Sequence, residues 1–347
     1  MANKLRLIGC GGAGCHLVSE VGTMLGALGE GFCNVEKHYL DTSTNNISDE
    51  MRQDGKFFHI TSKDFTKDEL SGSGAERRTN ASDIVASVKD FLDNNGIKEK
   101  ENGVFNIVIA SLSGGSGSII MPTILKNMLL RDIPTVVVAI GDSTNGLSAI
   151  NTLNSIATLH NVAKQTSKPI SIMYVNNESF MQGNTNEAIA NANKSIFNSL
   201  SALSLFLSGE NESIDNQDMI NIIDQSNYKT IKIKPGLYSL NIYSKEVILP
   251  DNCVPTVART LTVNGVSPDI NLSLLHHKTG TILAENAINI YKEHVPIHLV
   301  TFVNFFTHEE TRLKKYTDSI YDAMHAIEVN EVSGSSESET TDDGLVF

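Results

Sequence analysis

Short apolar runs alternate with amphipathic stretches through the first half of the chain. Residues 4–8 (KLRLI) read as a strand, and 105–110 (FNIVIA), 135–140 (TVVVAI) and 170–175 (ISIMYV) are strand-length and almost wholly apolar. That is the pattern of strands in a parallel sheet covered on both faces. Between them, residues 15–28, 82–95 and 147–165 place apolar residues at helical spacing. In 82–95, Ile84, Val85, Val88, Phe91 and Leu92 fall on one face. Shorter strands are expected at 38–41 and 57–60, on either side of a polar stretch, 42–55. This alternation of strand, loop and helix predicts an α/β fold with a Rossmann-like parallel sheet.

The pattern changes near residue 186. A long helix is expected over 186–208, then a polar break at 209–213 and a shorter helix to about Gln225. Four strand-like runs follow: 230–234 (TIKIK), 237–243 (LYSLNIY), 269–275 (DINLSLL) and 298–306 (HLVTFVNFF). The expected organisation is a first domain over 1–185, the long helix and an acidic loop and helix over 186–228, and a second α+β domain over 229–306. A charged C-terminal helix over 307–329 and an acidic tail, 330–347, complete it. The tail is rich in Ser, Thr and acids and is expected to be disordered in the monomer.

The chain has 347 residues and a net charge of −13. An acidic balance of this size argues against general nucleic-acid binding, which needs clustered Lys and Arg. The absence of Trp argues against an aromatic platform for bases. No apolar stretch approaches the ~20 residues of a membrane span, so no membrane partner is expected. The first residues lead directly into a strand and are not read as a signal peptide. The four cysteines, Cys10, Cys15, Cys33 and Cys253, form no metal-ligand spacing and are read as reduced thiols of a cytoplasmic protein. His276 and His277 are adjacent, so in a strand they point to opposite faces and make a poor metal site. No protein metal site is expected.

Two glycine-rich loops carry the candidate chemistry. Gly9-Cys10-Gly11-Gly12-Ala13-Gly14 matches G-x-G-x-x-G between a strand and a helix. Backbone N–H groups and a helix N-terminus there favour a phosphate. Taken alone, with Asp41 ending the second strand, this loop describes an NAD(P)-dependent Rossmann oxidoreductase. Ser113-Gly114-Gly115-Ser116-Gly117-Ser118 is a second loop of the same kind, for which a dehydrogenase has no use. Two such loops at one sheet edge suit a nucleoside di- or triphosphate gripped from both sides. A third stretch, 141–148 (GDSTNGLS), nearly spells a P-loop but lacks its Lys, which excludes a Walker-type ATPase.

In this order the loops resemble the tubulin/FtsZ superfamily of GTP-dependent filament proteins. GCGGAGCH, residues 9–16, stands where the family has G-x-G-G-x-G-x-N, and SGGSGS where it has G-G-G-T-G-S/T. Asp41-Thr42-Ser43 stands for Asn-Thr-Asp, and Gly72-Ser73-Gly74-Ala75 for the G-x-G-A loop near the γ-phosphate. Asn176 and Asn193 fall at the two guanine-contacting positions, and Ser213-Ile214-Asp215-Asn216-Gln217-Asp218 supplies both acids of N-x-D-x-x-D. The similarity covers about residues 4–225. His16, Ile189 and Ser213 depart from the pattern. By this resemblance Gly11, Gly12, Ala13, Gly14, His16, Asp41, Thr42, Gly74, Ala75, 113–118, Asn176 and Asn193 bind GTP or GDP, and Asp215 and Asp218 are catalytic. The short chain and acidic tail are most similar to phage-encoded tubulins, with plasmid-segregation tubulins as the alternative.

The resemblance implies hydrolysis of GTP between stacked subunits, because the acids lie beyond the long helix, away from the loops. Head-to-tail stacking that does not close builds a filament. Mg2+ is expected on the phosphates, mostly water-coordinated, with Asp41 as the nearest acid. Five acids follow Asn330, and without them the net charge is −8. The tail closes in Leu345-Val346-Phe347 and reads as a docking segment for a neighbouring subunit or an adaptor.

Overall fold

The computed structural model describes residues 3–62, 73–180, 185–327, 340–341 and 343–346. Six parallel strands form its first half: β1 (Lys4–Cys10), β2 (Asn34–Asp41), β3 (Lys56–His59), β4 (Val104–Ser111), β5 (Thr135–Gly141) and β6 (Pro169–Asn176). They lie in the order β3-β2-β1-β4-β5-β6. Helices α1 (Gly11–Gly26), α2 (Asp49–Asp54), α3 (Ala81–Asn94), α4 (Gly117–Leu130) and α5 (Gly146–Thr166) connect them.

Successive residues of each strand serve opposite faces. Leu7, Ile107, Ile109, Val136 and Val138 join one apolar layer with α1 and the long helix α6 (Thr185–Leu207). Ile8, Val108, Ala110, Val137 and Ala139 join the other, with α3, α4 and α5. Burial on both faces is why these strands read as continuous apolar runs. The order reverses between β1 and β4: β1 leads outward to β2, whereas β4 leads the other way to β5. In open α/β sheets the crevice at such a reversal, outside the carboxyl ends of the strands, is where ligands bind. Both glycine loops begin there.

The second half continues the same sheet instead of building a separate one. After α6 come β7 (Asn211–Glu212), α7 (Asn216–Ile223), β8 (Gly236–Ser244), β9 (Val254–Thr262), β10 (His276–Ile282), α8 (Glu285–Tyr291), β11 (Ile297–Val303) and α9 (Phe305–Ile327). β8 pairs with β6 in parallel through Pro169–Ile172. Beyond it the order is β11-β9-β10-β7, giving eleven strands among the described residues.

Two expected strands are absent. Residues 230–234 are irregular after a 3-10 turn at Gln225–Asn227. Residues 269–275 are irregular, with Ile270, Leu272 and Leu274 resting on Val300 and Phe302. Conversely, β9 and β10 lie outside the expected strands, because Thr256, Arg259, Thr260, His276, His277 and Lys278 interrupt any apolar run in them. Phe305 and Phe306 open α9 instead of extending β11.

The end of the chain corrects a second expectation. Residues 340–341 and 343–346 are packed against the chain's own α3–α5 face, with Leu345 and Val346 each only 5% exposed. The Thr158 hydroxyl accepts from Val346 N at 3.0 Å, and Asn161 donates to Gly344 O at 3.2 Å. The buried Arg77 guanidinium donates to Val346 O at 2.9 and 3.2 Å. Burying two apolar side chains while satisfying the adjacent backbone outweighs the cost of ordering a few residues. Of the tail acids, Glu331, Glu337, Glu339 and Asp342 lie outside the described residues, as does Gly72. No described helix is long and apolar enough to cross a membrane.

Candidate nucleotide site

The glycine loops meet backbone to backbone. Gly11 has φ +70°, and a Cβ there would stand 2.6 Å from Gly117 N; a Cβ on Gly117 would stand 2.5 Å from Cys10 O. Only glycine permits this approach and this φ together. α1 and α4 therefore begin beside one another, on opposite faces of the sheet. Their N-terminal N–H groups, positively polarised, border one cavity of about 210 Å3. Its lining includes Cys10, Gly11, Gly12, Ala13, Asp41, Asn46, Ser73, Gly74, Ser111 and residues 114–117. No Lys or Arg is among them. A cavity built from two glycine-rich backbones and two helix N-termini fits a polyphosphate, for which such groups are natural donors.

Hydroxyls and amides hold the loops in place. Ser118 donates to Gly115 O at 2.8 Å, so its hydroxyl shapes the loop. Thr42 and Ser116 share a hydrogen bond of 2.8 Å, tying the end of β2 to the second loop. Gly74 and Ala75 both have left-handed φ, +57° and +68°, an unusual conformation for Ala75. Asn151, in α5, donates to both Ala75 O and Ser113 O at 3.0 Å, which ties those two loops together. Neither Asn151 nor Asn46 stands in a motif that would distinguish it in the sequence. Arg77 links the same region to the chain's end, donating to Ser118 O at 3.5 Å and Thr158 Oγ1 at 3.1 Å.

Asp41 is 1% exposed. Burial pushes its carboxyl above the ordinary range, opposed by hydrogen bonds from Asn46 and the backbone of Thr42 and Ser43. Thr42 N donates to Oδ1 and Asn46 Nδ2 to Oδ2, both at 2.7 Å. Its oxygens are thus engaged within the loop, which disfavours the ribose-holding role of a dinucleotide enzyme. Among the described residues, no three His, Cys, Asp or Glu side chains converge as a metal site. Cys10 and Cys15 are buried, and desolvation raises both thiols far above their usual range. Their thiolates, the reactive form, are correspondingly scarce.

The remaining sequence candidates sit around the cavity instead of lining it. His16 and Ile189 are exposed on α1 and α6. Those helices pack together, and Asn193 donates to Glu20 across them at 3.0 Å. Asn176 ends β6 at the same sheet edge as the loops. Its amide contacts Glu309 at 3.3 Å, and its oxygen accepts from Glu178 N at 3.0 Å.

Asp215 and Asp218 lie at the opposite edge. Asn3, at the start of β1, donates to Leu207 O and to Asn216 Oδ1, both at 2.7 Å, which fixes α7 under the amino ends of the strands. Asp215 caps α7: its carboxylate accepts from Asp218 N at 2.8 Å, and Asp218 accepts from Asp215 N at 3.0 Å. This reciprocal capping box sets both acids at one helix end. Asp215 lines an open groove of about 650 Å3, together with Asn3, Lys100, Ser213 and Gln217.

The parallel sheet with two glycine loops at its switch point is the arrangement that the tubulin/FtsZ resemblance implied. No protein-family model matches the chain. Among curated proteins, the phage tubulin-like protein of Pseudomonas phage phiKZ is 26% identical over 223 residues, 63% of this chain and 62% of the relative. The match thus spans just under two thirds of that relative's length. Among solved structures, a PhuZ201 filament subunit aligns with a TM-score of 0.74 at 17% identity, covering 99% of both chains. The GDP complex of the phage tubulin PhuZ aligns with a TM-score of 0.73 at 17% identity, over 99% of this chain and 98% of that one. The chain is thus similar in sequence to phage tubulin-like proteins and shares the fold of solved phage tubulins.

Proposed function

We propose that the chain binds GTP at the two-loop cavity and polymerises head-to-tail into dynamic filaments. GTP is hydrolysed where one subunit's acids meet the next subunit's nucleotide. The observation that carries this reading is the placement of the two half-sites at opposite ends of the same strands. The cavity's only lining carboxylate among the described residues, Asp41, has both oxygens engaged. The other candidate acids lie at the far end of the strands, where Asp215 borders an open groove. A complete site then needs two copies, and that heterologous contact repeats without closing.

Within such a site the backbone of 11–14 and 114–117 holds the phosphates. Asp215 and Asp218 of the adjoining subunit orient the attacking water, the main task in phosphoryl transfer. Mg2+, carried with the phosphates, would neutralise developing charge there. The relatives' names include a GDP complex and a filament, which supports both parts. The filament's proposed task is to position phage DNA or a phage nucleus in the cytoplasm of the host bacterium. Purified chain should pellet and form filaments by electron microscopy with GTP, and not with GDP or NAD. Equal NAD and GTP binding without polymer would overturn the reading.

The tail is proposed to contact a neighbouring subunit. The groove that seats Leu345 and Val346 is present on every copy, so a neighbour's tail can take the same seat. Deleting residues 337–347 is expected to raise the critical concentration severalfold or abolish filaments, measured by pelleting. Unchanged assembly would rule the contact out.

A further inference from the structure

Asp218 is held by two cations, and neither belongs to its own helix. β9 and β10 run parallel, and their register places Arg259 directly beside Lys278. Arg259 is fully buried. It donates through Nη2 to the main-chain carbonyl of Asp218 at 2.9 Å, and also to Tyr228 Oη at 2.9 Å and Ala258 O at 2.8 Å. Lys278 forms an ion pair with the Asp218 carboxylate. One residue is thus gripped by its backbone and by its side chain, from neighbouring strands of the second half. Two adjacent cations repel, and a guanidinium is costly to bury, so the pair is intelligible by what it holds.

We propose that Lys278 is a positioning residue for GTP hydrolysis, fixing the carboxylate of Asp218 in its ionised, oriented form at the subunit junction. This inference rests on the assignment of Asp218 to the hydrolytic site. Burial opposes ionisation of Asp218, but the Lys278 hydrogen bond, the Asp215 N–H and the charges of Arg259 and Lys278 outweigh it. Together they hold the carboxyl below its usual range. The groups facing it are Lys278 and His276 on β10, Arg259 on β9, and Asp215 on its own helix cap. Burial and then Arg259 depress the His276 imidazole, so above its lowered pKa it adds no charge. Lys278 is the direct counter-ion. Its side chain is 35% exposed, so its replacement leaves the core intact, unlike that of Arg259.

The test is Lys278→Met in the full chain, with Lys278→Arg beside it. In Lys278→Met, kcat for GTP should fall about tenfold or more with little change in KM, the signature of a group acting in the transition state. Without the cation the Asp218 carboxyl titrates at higher pH, so the acid limb of the kcat–pH profile should move to higher pH. Lys278→Arg should restore both, since it keeps the charge. A wild-type rate and profile in an assembling Lys278→Met protein would overturn the inference. Asp218→Asn separates the two levels. If Asp218→Asn is inactive while Lys278→Met is normal, only the role of Lys278 fails. If Asp218→Asn itself turns over normally, the assignment of Asp218 fails.

Discussion

Asp218→Asn is expected to bind GTP normally and to lose at least about a hundredfold of polymer-dependent turnover, the scale of removing a positioned catalytic group. The choice of Asn matters. Asp215 and Asp218 form a reciprocal capping box, and replacing a cap by Ala costs ~1 kcal/mol of helix stability. An Ala variant would therefore mix loss of chemistry with loss of α7. Asn caps nearly as well as Asp at Asp215, and an Asn oxygen at residue 218 can still accept from Asp215 N, so Asp215→Asn and Asp218→Asn remove charge while keeping the helix start. Because the nucleotide cavity lies at the other end of the strands, GTP affinity of the isolated subunit should be unchanged. Polymer should still form with GTP and persist longer, since the bound nucleotide is not consumed. Phosphate release measured alongside pelleting checks this. Normal phosphate release from Asp218→Asn polymers would remove Asp218 from the site, and weakened GTP binding by the monomer would place it near its own nucleotide.

The parts of the molecule legible in the sequence are those where one physical demand dominates. β4 and β5 must be apolar on both faces, and their runs are visible directly. The two glycine loops are legible because their packing, Gly11 against Gly117, admits no side chain. The second half obscures its strands because polar side chains are buried among its apolar ones. Arg259 and Thr260 are fully buried in β9, and their partners, Tyr228, His276, His277 and Asp218, come from distant segments. No local periodicity encodes such pairing. The same applies to Asn151, whose two loop contacts depend on where α5 starts, and to Arg77, which has one end of its guanidinium on α4 and the other on Val346. Composition made the tail look solvated, because its acids outnumber its apolar residues. The last few residues nonetheless dock, since a short apolar cluster with backbone partners suffices.

Gly11→Ala should abolish GTP binding and lower stability together, whereas Gly114→Ala should affect binding alone. At Gly11 the added methyl meets Gly117 N at 2.6 Å and Cα at 2.8 Å, and φ is +70°. Both neighbours are backbone atoms at the start of α4, so neither can rotate aside. Strain at left-handed φ and overpacking together amount to about 2–4 kcal/mol. That would lower the melting temperature by several degrees and separate the loops whose N–H groups define the cavity. Gly114 has nothing within 4 Å of its Cβ position, yet it lines the cavity. Its methyl costs the apo fold nothing and occupies space assigned to phosphate. Thermal melts with and without GTP distinguish the two effects. Gly114→Ala should melt like the wild type without nucleotide and show a smaller rise when GTP is added. Should Gly114→Ala keep the full GTP-dependent rise, the phosphates do not lie against the second loop. A wild-type melt for Gly11→Ala would mean that the two loops stand further apart in solution than their interlocked backbones require.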